Sequence, residues 1–267
     1  MLEMFEYSFM VRAFIAGLAI GIAAPLIGFF LVAKRYALIA DSLAHVSLAG
    51  VAIAVMIGIE PLVGALAIAL VSALVIEKLR TSKRVTSDMA LAIFLSSGLA
   101  VAVVLIGLAN SINIDLMSYL FGSITTVTTQ DLLIILPLTL AMFATVGLLY
   151  QKMTYTVFNE EQARASGLPT ERLNLLLIIL AAITVVVSLR IVGGLLIGAL
   201  TVIPVAAAAQ IARSMKQTIA YAIVIGVMST CIGLTLSYYA NLAAGGTIVL
   251  TTLVLFGVSV VAGKLGK

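Results

Sequence analysis

Apolar runs of about the length that crosses a bilayer as a helix recur from one end of this chain to the other. Nine stand out, at residues 10–33, 37–58, 61–77, 89–109, 130–150, 173–190, 192–212, 217–239 and 246–263. A helical span needs ~20 predominantly apolar residues, and no stretch shows the period-2 alternation of a membrane barrel. The chain therefore reads as all-α, a polytopic integral membrane protein. Its 63% hydrophobic and 10% charged residues lie far outside the balance of a soluble domain. No Gly/Ser/Pro-rich linker and no change of composition divides it, so residues 1–267 are expected to form a single transmembrane domain.

The first run has neither a basic segment before it nor a small-residue cleavage site after it, so it is expected to remain as a span. With loops assigned to alternate sides, thirteen of the fifteen Lys and Arg residues fall in one set, leaving Arg12 and Arg190 in the other. The basic side faces the cytoplasm, which puts the N-terminus outside and the C-terminus inside. It also accounts for the net charge of +4 through topology and lipid, without nucleic acid. The long run from Leu173 to Ala212 is broken only by Arg190 and by Gly193-Gly194. Two spans with a tight outer turn are expected there. A partial segment instead would leave eight spans and move one terminus to the other side.

Two loops exceed simple connectors. Asn110–Gln130, expected outside, carries Asp115 and the amphipathic stretch LMSYLFGS, which suits a short surface helix. Gln151–Glu171, expected in the cytoplasm, has Asn159 as an N-cap, Glu160 and Glu161 in a first turn, Gly167 as a stop and Pro169 against continuation. A short polar helix over about residues 160–166 follows. There is no GxxxxGK[ST] loop and no hydrophilic stretch long enough for a nucleotide-binding domain, so any ATP is used by another chain. The lone Cys231 excludes an intrachain disulfide or a thiolate zinc site. Tyr36 and Tyr119, near span ends, suit an interfacial aromatic belt.

Of the eleven acidic residues, only Asp41 lies well inside a run, and the only histidine, His45, follows four residues later. A carboxylate at such depth costs at least ~2.5 kcal/mol on insertion scales. The spacing puts both on one helical face, ~6 Å apart along the axis. Two readings stay open on the residues alone. The pair could hydrogen-bond neighbouring helices as glue, or it could offer the nitrogen and oxygen ligands that divalent transition metals accept. Two ligands do not complete a site, whereas a symmetric dimer would double them. An ATP-independent transporter would ordinarily need further carboxylates at depth, and an intramembrane enzyme would need a nucleophile that no position offers. No catalytic residue is assigned.

Four stretches, YALIADSLAHVSLAGVA, INIDLMSYLFGSITTVTTQDL, NEEQARASGLP and VGGLLIGALTVIPVAAAAQIA, resemble the permease subunits of bacterial metal ABC importers (the ABC-3 family), most of all the zinc-importer permeases. The resemblance implies a fold like that of the larger siderophore and cobalamin importer permeases, of type II. It implies a homodimer in the bacterial cytoplasmic membrane, two cytoplasmic ABC ATPase subunits and an extracytoplasmic metal-binding protein. Zinc, manganese or iron would pass as the transported ion, with no cofactor permanently bound. Asp41 and His45 match the family's translocation-path pair. Asn159, Glu160, Glu161, Gln162, Ala163 and Gly167 match the segment that docks on the ATPase. Ala40 stands where the family often has Gly. Ala49 precedes Gly50 where manganese-type members tend to have Pro, which leans toward zinc.

Overall fold

Turn-forming residues close and open the helices at the ends of the apolar runs. The computed structural model describes residues 3–82, 85–108 and 116–265; Asp115 and the loop cations Lys83, Arg84 and Lys267 lie outside them. After a 3-10 turn at Glu3–Glu6 come α1 (Ser8–Ala33), α2 (Leu38–Ile57), α3 (Pro61–Thr81), α4 (Ser87–Leu108), α5 (Leu116–Phe121) and α6 (Thr129–Phe158). Next are α7 (Glu160–Ala165), α8 (Thr170–Ser188), α9 (Ile197–Ile211), α10 (Met215–Ala240) and α11 (Ala244–Leu265). No strand forms among the described residues. Gly58, left-handed at φ 75°, ends α2, and Pro61 starts α3, the usual asymmetry of helix ends.

Among the described residues, eight helices are long and apolar enough to cross a membrane. The expected ninth span is the shorter α9, whose 15 residues rise only ~22 Å. Its start is sunk into the bundle. Gly198, in its first turn, lies against Asp41 near the beginning of α2, and Gly194 just before it meets Leu48 in the middle of α2. The tight turn expected at Gly193-Gly194 is thus a non-helical descent from Leu189 to Leu196, buried except at Leu195 and partly at Arg190 and Leu196. Its buried backbone groups need partners, and the α5 segment supplies them. Gly194 N–H donates to the Tyr119 carbonyl (2.7 Å), Leu195 N–H to that of Leu120 (3.1 Å), and Ser123 N–H to that of Arg190 (3.0 Å).

Core packing relies on close backbone approach. Gly50 of α2 faces Gly64 of α3 so tightly that a β-carbon on either would come within 2.5–2.6 Å of the other's carbonyl oxygen, the small-residue contact typical of membrane helices. α2 sits between α3, α4, α8 and α9, which makes it the central element. α6 runs on to Phe158, so the start of the expected Gln151–Glu171 loop is helical. α1 runs toward the end of the bundle that carries α7, and α11 finishes there too, with Gly263 against the Gln210 carbonyl at the end of α9. The described chain ends therefore lie at opposite ends of the bundle.

Candidate metal site on α2

Asp41 and His45 share one face of α2 and are both half-buried, with α4 behind the helix and α9 beside it. Gly98 of α4 lets the two backbones meet, since a β-carbon there would lie 2.6 Å from Val46 N and 2.8 Å from the His45 carbonyl carbon. Ser42 Oγ is 2.9 Å from the Leu91 carbonyl of α4 and 3.0 Å from that of Leu38 in its own helix. Ser47 Oγ donates to Leu43 within α2 at 2.6 Å. Both serines are fully buried; Ser42 ties α2 to α4, and Ser47 is satisfied within α2.

The imidazole orientation is set by α4. His45 Nδ1 lies 3.0 Å from the Leu95 carbonyl oxygen. A carbonyl only accepts, so Nδ1 carries the proton, and in the neutral ring Nε2 keeps its lone pair. Fixing one ring nitrogen to a backbone carbonyl is how proteins orient metal-ligating histidines. The Asp41 carboxylate sits against the first turn of α9, in space left by Gly198, whose β-carbon would overlap Oδ1 and come within 2.6 Å of Cγ. The positive end of that helix dipole favours the charge there. Among the described residues no three His, Cys, Asp or Glu side chains converge. One chain thus presents one nitrogen and one carboxylate, short of the four ligands of a closed zinc site.

Among the described residues, two carboxylates are buried, Glu77 and Asp131, and each has an arginine. Glu77 pairs with Arg80. Asp131, fully buried, caps α6 by accepting from Thr128 N–H (2.8 Å) and Oγ1 (2.9 Å), and takes Arg190 Nε at 3.2 Å. Arg190 also reaches Glu60 at 3.5 Å and lies over the Tyr119 ring, 4.8 Å from its centroid. Asp131 stands at a span end as expected, in the first turn of α6, but is fully buried there, and Arg190, expected in an outer loop, is its counter-ion. Both Tyr36 and Tyr119, expected in an aromatic belt, carry an arginine over the ring. Tyr119 lies under Arg190, and Tyr36 lies under Arg80 at 3.8 Å.

The capped polar helix is present as α7. Asn159 Oδ1 accepts Gln162 N–H at 3.0 Å, and Gly167, left-handed at φ 81°, ends it. Its faces differ. Glu160 and Ala163 turn toward the bundle, while Glu161, Gln162 and Gly167 are exposed.

Residues 6–263 match the ABC 3 transport family. The chain belongs to that family. Members similar to this ABC 3 chain include a probable metal transport system membrane protein of Treponema pallidum, 37% identical over 99% of both chains. A high-affinity zinc uptake system membrane protein of Haemophilus influenzae is 30% identical over 96% of this chain and 97% of its own length. A manganese import system permease protein of Streptococcus parasanguinis is 32% identical over 95% and 90%. Among solved structures, a chain of PsaBC from Streptococcus pneumoniae superposes with a TM-score of 0.86 at 32% identity, covering 95% of this chain and 91% of that one. A metal-chelate type ABC transporter shares the fold, with a TM-score of 0.71 at 17% identity over 94% and 85%. This ABC 3 chain thus has an ABC transporter fold, as the resemblance implied.

Proposed function

We propose that this chain is the membrane-spanning subunit of an ABC importer that carries a divalent transition metal ion, zinc first, into the cytoplasm. It works as a homodimer in the bacterial cytoplasmic membrane, its N-terminus outside and its C-terminus inside. A separate binding protein delivers the ion, and two cytoplasmic ATPases dock on α7 and hydrolyse ATP. The observation that carries this reading is the half-buried pair on α2. His45 keeps Nε2 available because Leu95 holds Nδ1, and Asp41 lies one turn away, with a second copy supplying the other two ligands. Such a set holds an ion weakly enough to release it. An ATP-independent carrier is disfavoured because the other buried carboxylates, Glu77 and Asp131, already have arginine partners.

Manganese is the second reading, favoured by the similarity to a streptococcal manganese permease; ferrous iron accepts the same ligands. The test is ATP-driven uptake by the reconstituted permease, ATPase and binding protein, offered zinc, manganese and ferrous iron in turn. Uptake at the lowest concentration is expected for zinc. A preference for manganese would replace the metal and keep the mechanism, and ATP-independent uptake would overturn the importer reading.

A further inference from the structure

At the end of the bundle that carries α7, a polar cluster, buried at Lys34 and Asn174 and open to solvent at Glu160, joins three elements far apart in sequence. Lys34, the residue capping α1, has a side chain only 4% exposed. Its Nζ donates to Glu160 Oε2 of α7 at 2.9 Å and also to Asn174 Oδ1 of α8. Asn174 Nδ2 in turn donates to Glu160 Oε1 at 2.9 Å. Each of the three thus bonds the other two. Burial pushes the Lys34 amine below its ordinary value, against the hydrogen bond and charge of Glu160. The cation therefore depends on that carboxylate.

Lys34 opens the short connection into α2. Arg35 takes the left-handed conformation at φ 62°, rare for a residue with a side chain, and Tyr36 N–H closes the turn onto the Leu31 carbonyl at 2.8 Å. The other side of this turn is clasped by α3, whose Arg80 covers the Tyr36 ring, donates to its hydroxyl and pairs with Glu77. Neither clasp leaves the turn free to move by itself. A shift of α7 must either carry the turn along or pull Glu160 off Lys34, which leaves the buried Lys34 cation without its counter-ion.

We propose that the Lys34–Glu160–Asn174 cluster is the link through which displacement of α7 reaches the start of α2 and hence Asp41. Glu160 and Lys34 act as positioning residues, touching neither metal nor nucleotide. The exposed face of α7, with Glu161 and Gln162, remains for the ATPase. This deepens the proposed function and rests on α7 being the docking helix.

The test uses the full complex with its ATPase and binding protein, and reads metal imported per ATP hydrolysed. Lys34→Met keeps an unbranched apolar stem in a buried position, and Glu160→Gln keeps shape without charge. Each is expected to lower the import-per-ATP ratio by about five- to a hundred-fold, the span of typical coupling between linked sites. The ATPase should still copurify; Glu160→Gln leaves the Lys34 cation without its carboxylate and should lower the melting temperature, whereas Lys34→Met removes that charge and should melt near the parent. The double variant should be no worse than the more affected single one, because both remove one link. Wild-type ratios in both single variants would overturn the proposal, as would a loss of uptake that only tracks loss of melting temperature or assembly. Glu161→Lys separates the two failures. If it releases the ATPase while Lys34→Met and Glu160→Gln transport normally, docking stands and the link falls. If it leaves ATPase binding and transport intact, the docking reading itself fails and takes the link with it.

Discussion

The carboxylate of Asp41 occupies the space where a side chain on Gly198 would begin. This contact ties α2 to the sunken start of α9, and it makes a residue with no functional group a determinant of where the carboxylate points. Gly198→Ala is expected to push Asp41 aside and to reduce metal uptake at least tenfold, with a stability cost of about 1–3 kcal/mol for overpacking. Gly194→Ala is the matched control. Its β-carbon would meet only flexible leucine side chains, Leu189 at 3.3 Å and Leu48 at 3.6 Å, so uptake should stay within about twofold, which corresponds to ~0.4 kcal/mol. Uptake assays on both variants decide between them.

Gly98→Ala tests the other wall of the site. A β-carbon there would press on the α2 backbone at His45 and Val46, where relief requires α4 to move and to take the Leu95 carbonyl with it. The expected result is a lower melting temperature together with weaker uptake at limiting metal. Normal uptake at limiting metal would mean that the orientation of His45 does not depend on α4.

Much of this was legible in the chain and some of it was not. Periodicity and length gave the helices, because each apolar run is continuous, and Asn159 and Gly167 marked α7, because caps are local chemistry. Asp41 and His45 could be singled out, since polar groups are costly in such runs. Hydropathy does not report depth, so the run after Leu173 gave no sign that α9 starts inside the bundle. Arg190 looked like a loop charge because its partners, Asp131 and Glu60, are distant in sequence. Gly198 and the Leu95 carbonyl could not be found at all, for their roles exist only where two helices cross.

Arg190 and Asp131 give a stability prediction. Arg190→Met leaves the fully buried Asp131 without its cation, and breaking such a pair costs about 3–5 kcal/mol. Thermal unfolding in detergent should show a clear drop. Combining Arg190→Met with Asp131→Asn should recover part of it, because the stranded charge is gone while the amide can still accept from Thr128.

Gly167→Pro probes the end of α7. Its left-handed φ of 81° is closed to proline, and its N–H, which donates to the Arg164 carbonyl at 3.0 Å, would be lost. ATP-driven uptake should fall strongly, whereas the long helices, which do not depend on this turn, should assemble as before. Unaffected uptake would remove α7 from the coupling path.

The central claim is that Asp41 and His45 form half of a transient metal path. It is tested most directly by zinc uptake at limiting concentration in proteoliposomes holding the complete importer, with Asp41→Ala and His45→Ala compared against the parent. The account predicts that each substitution abolishes uptake while the dimer and its bound ATPase persist. Unimpaired uptake in either variant would contradict it and return that residue to helix packing.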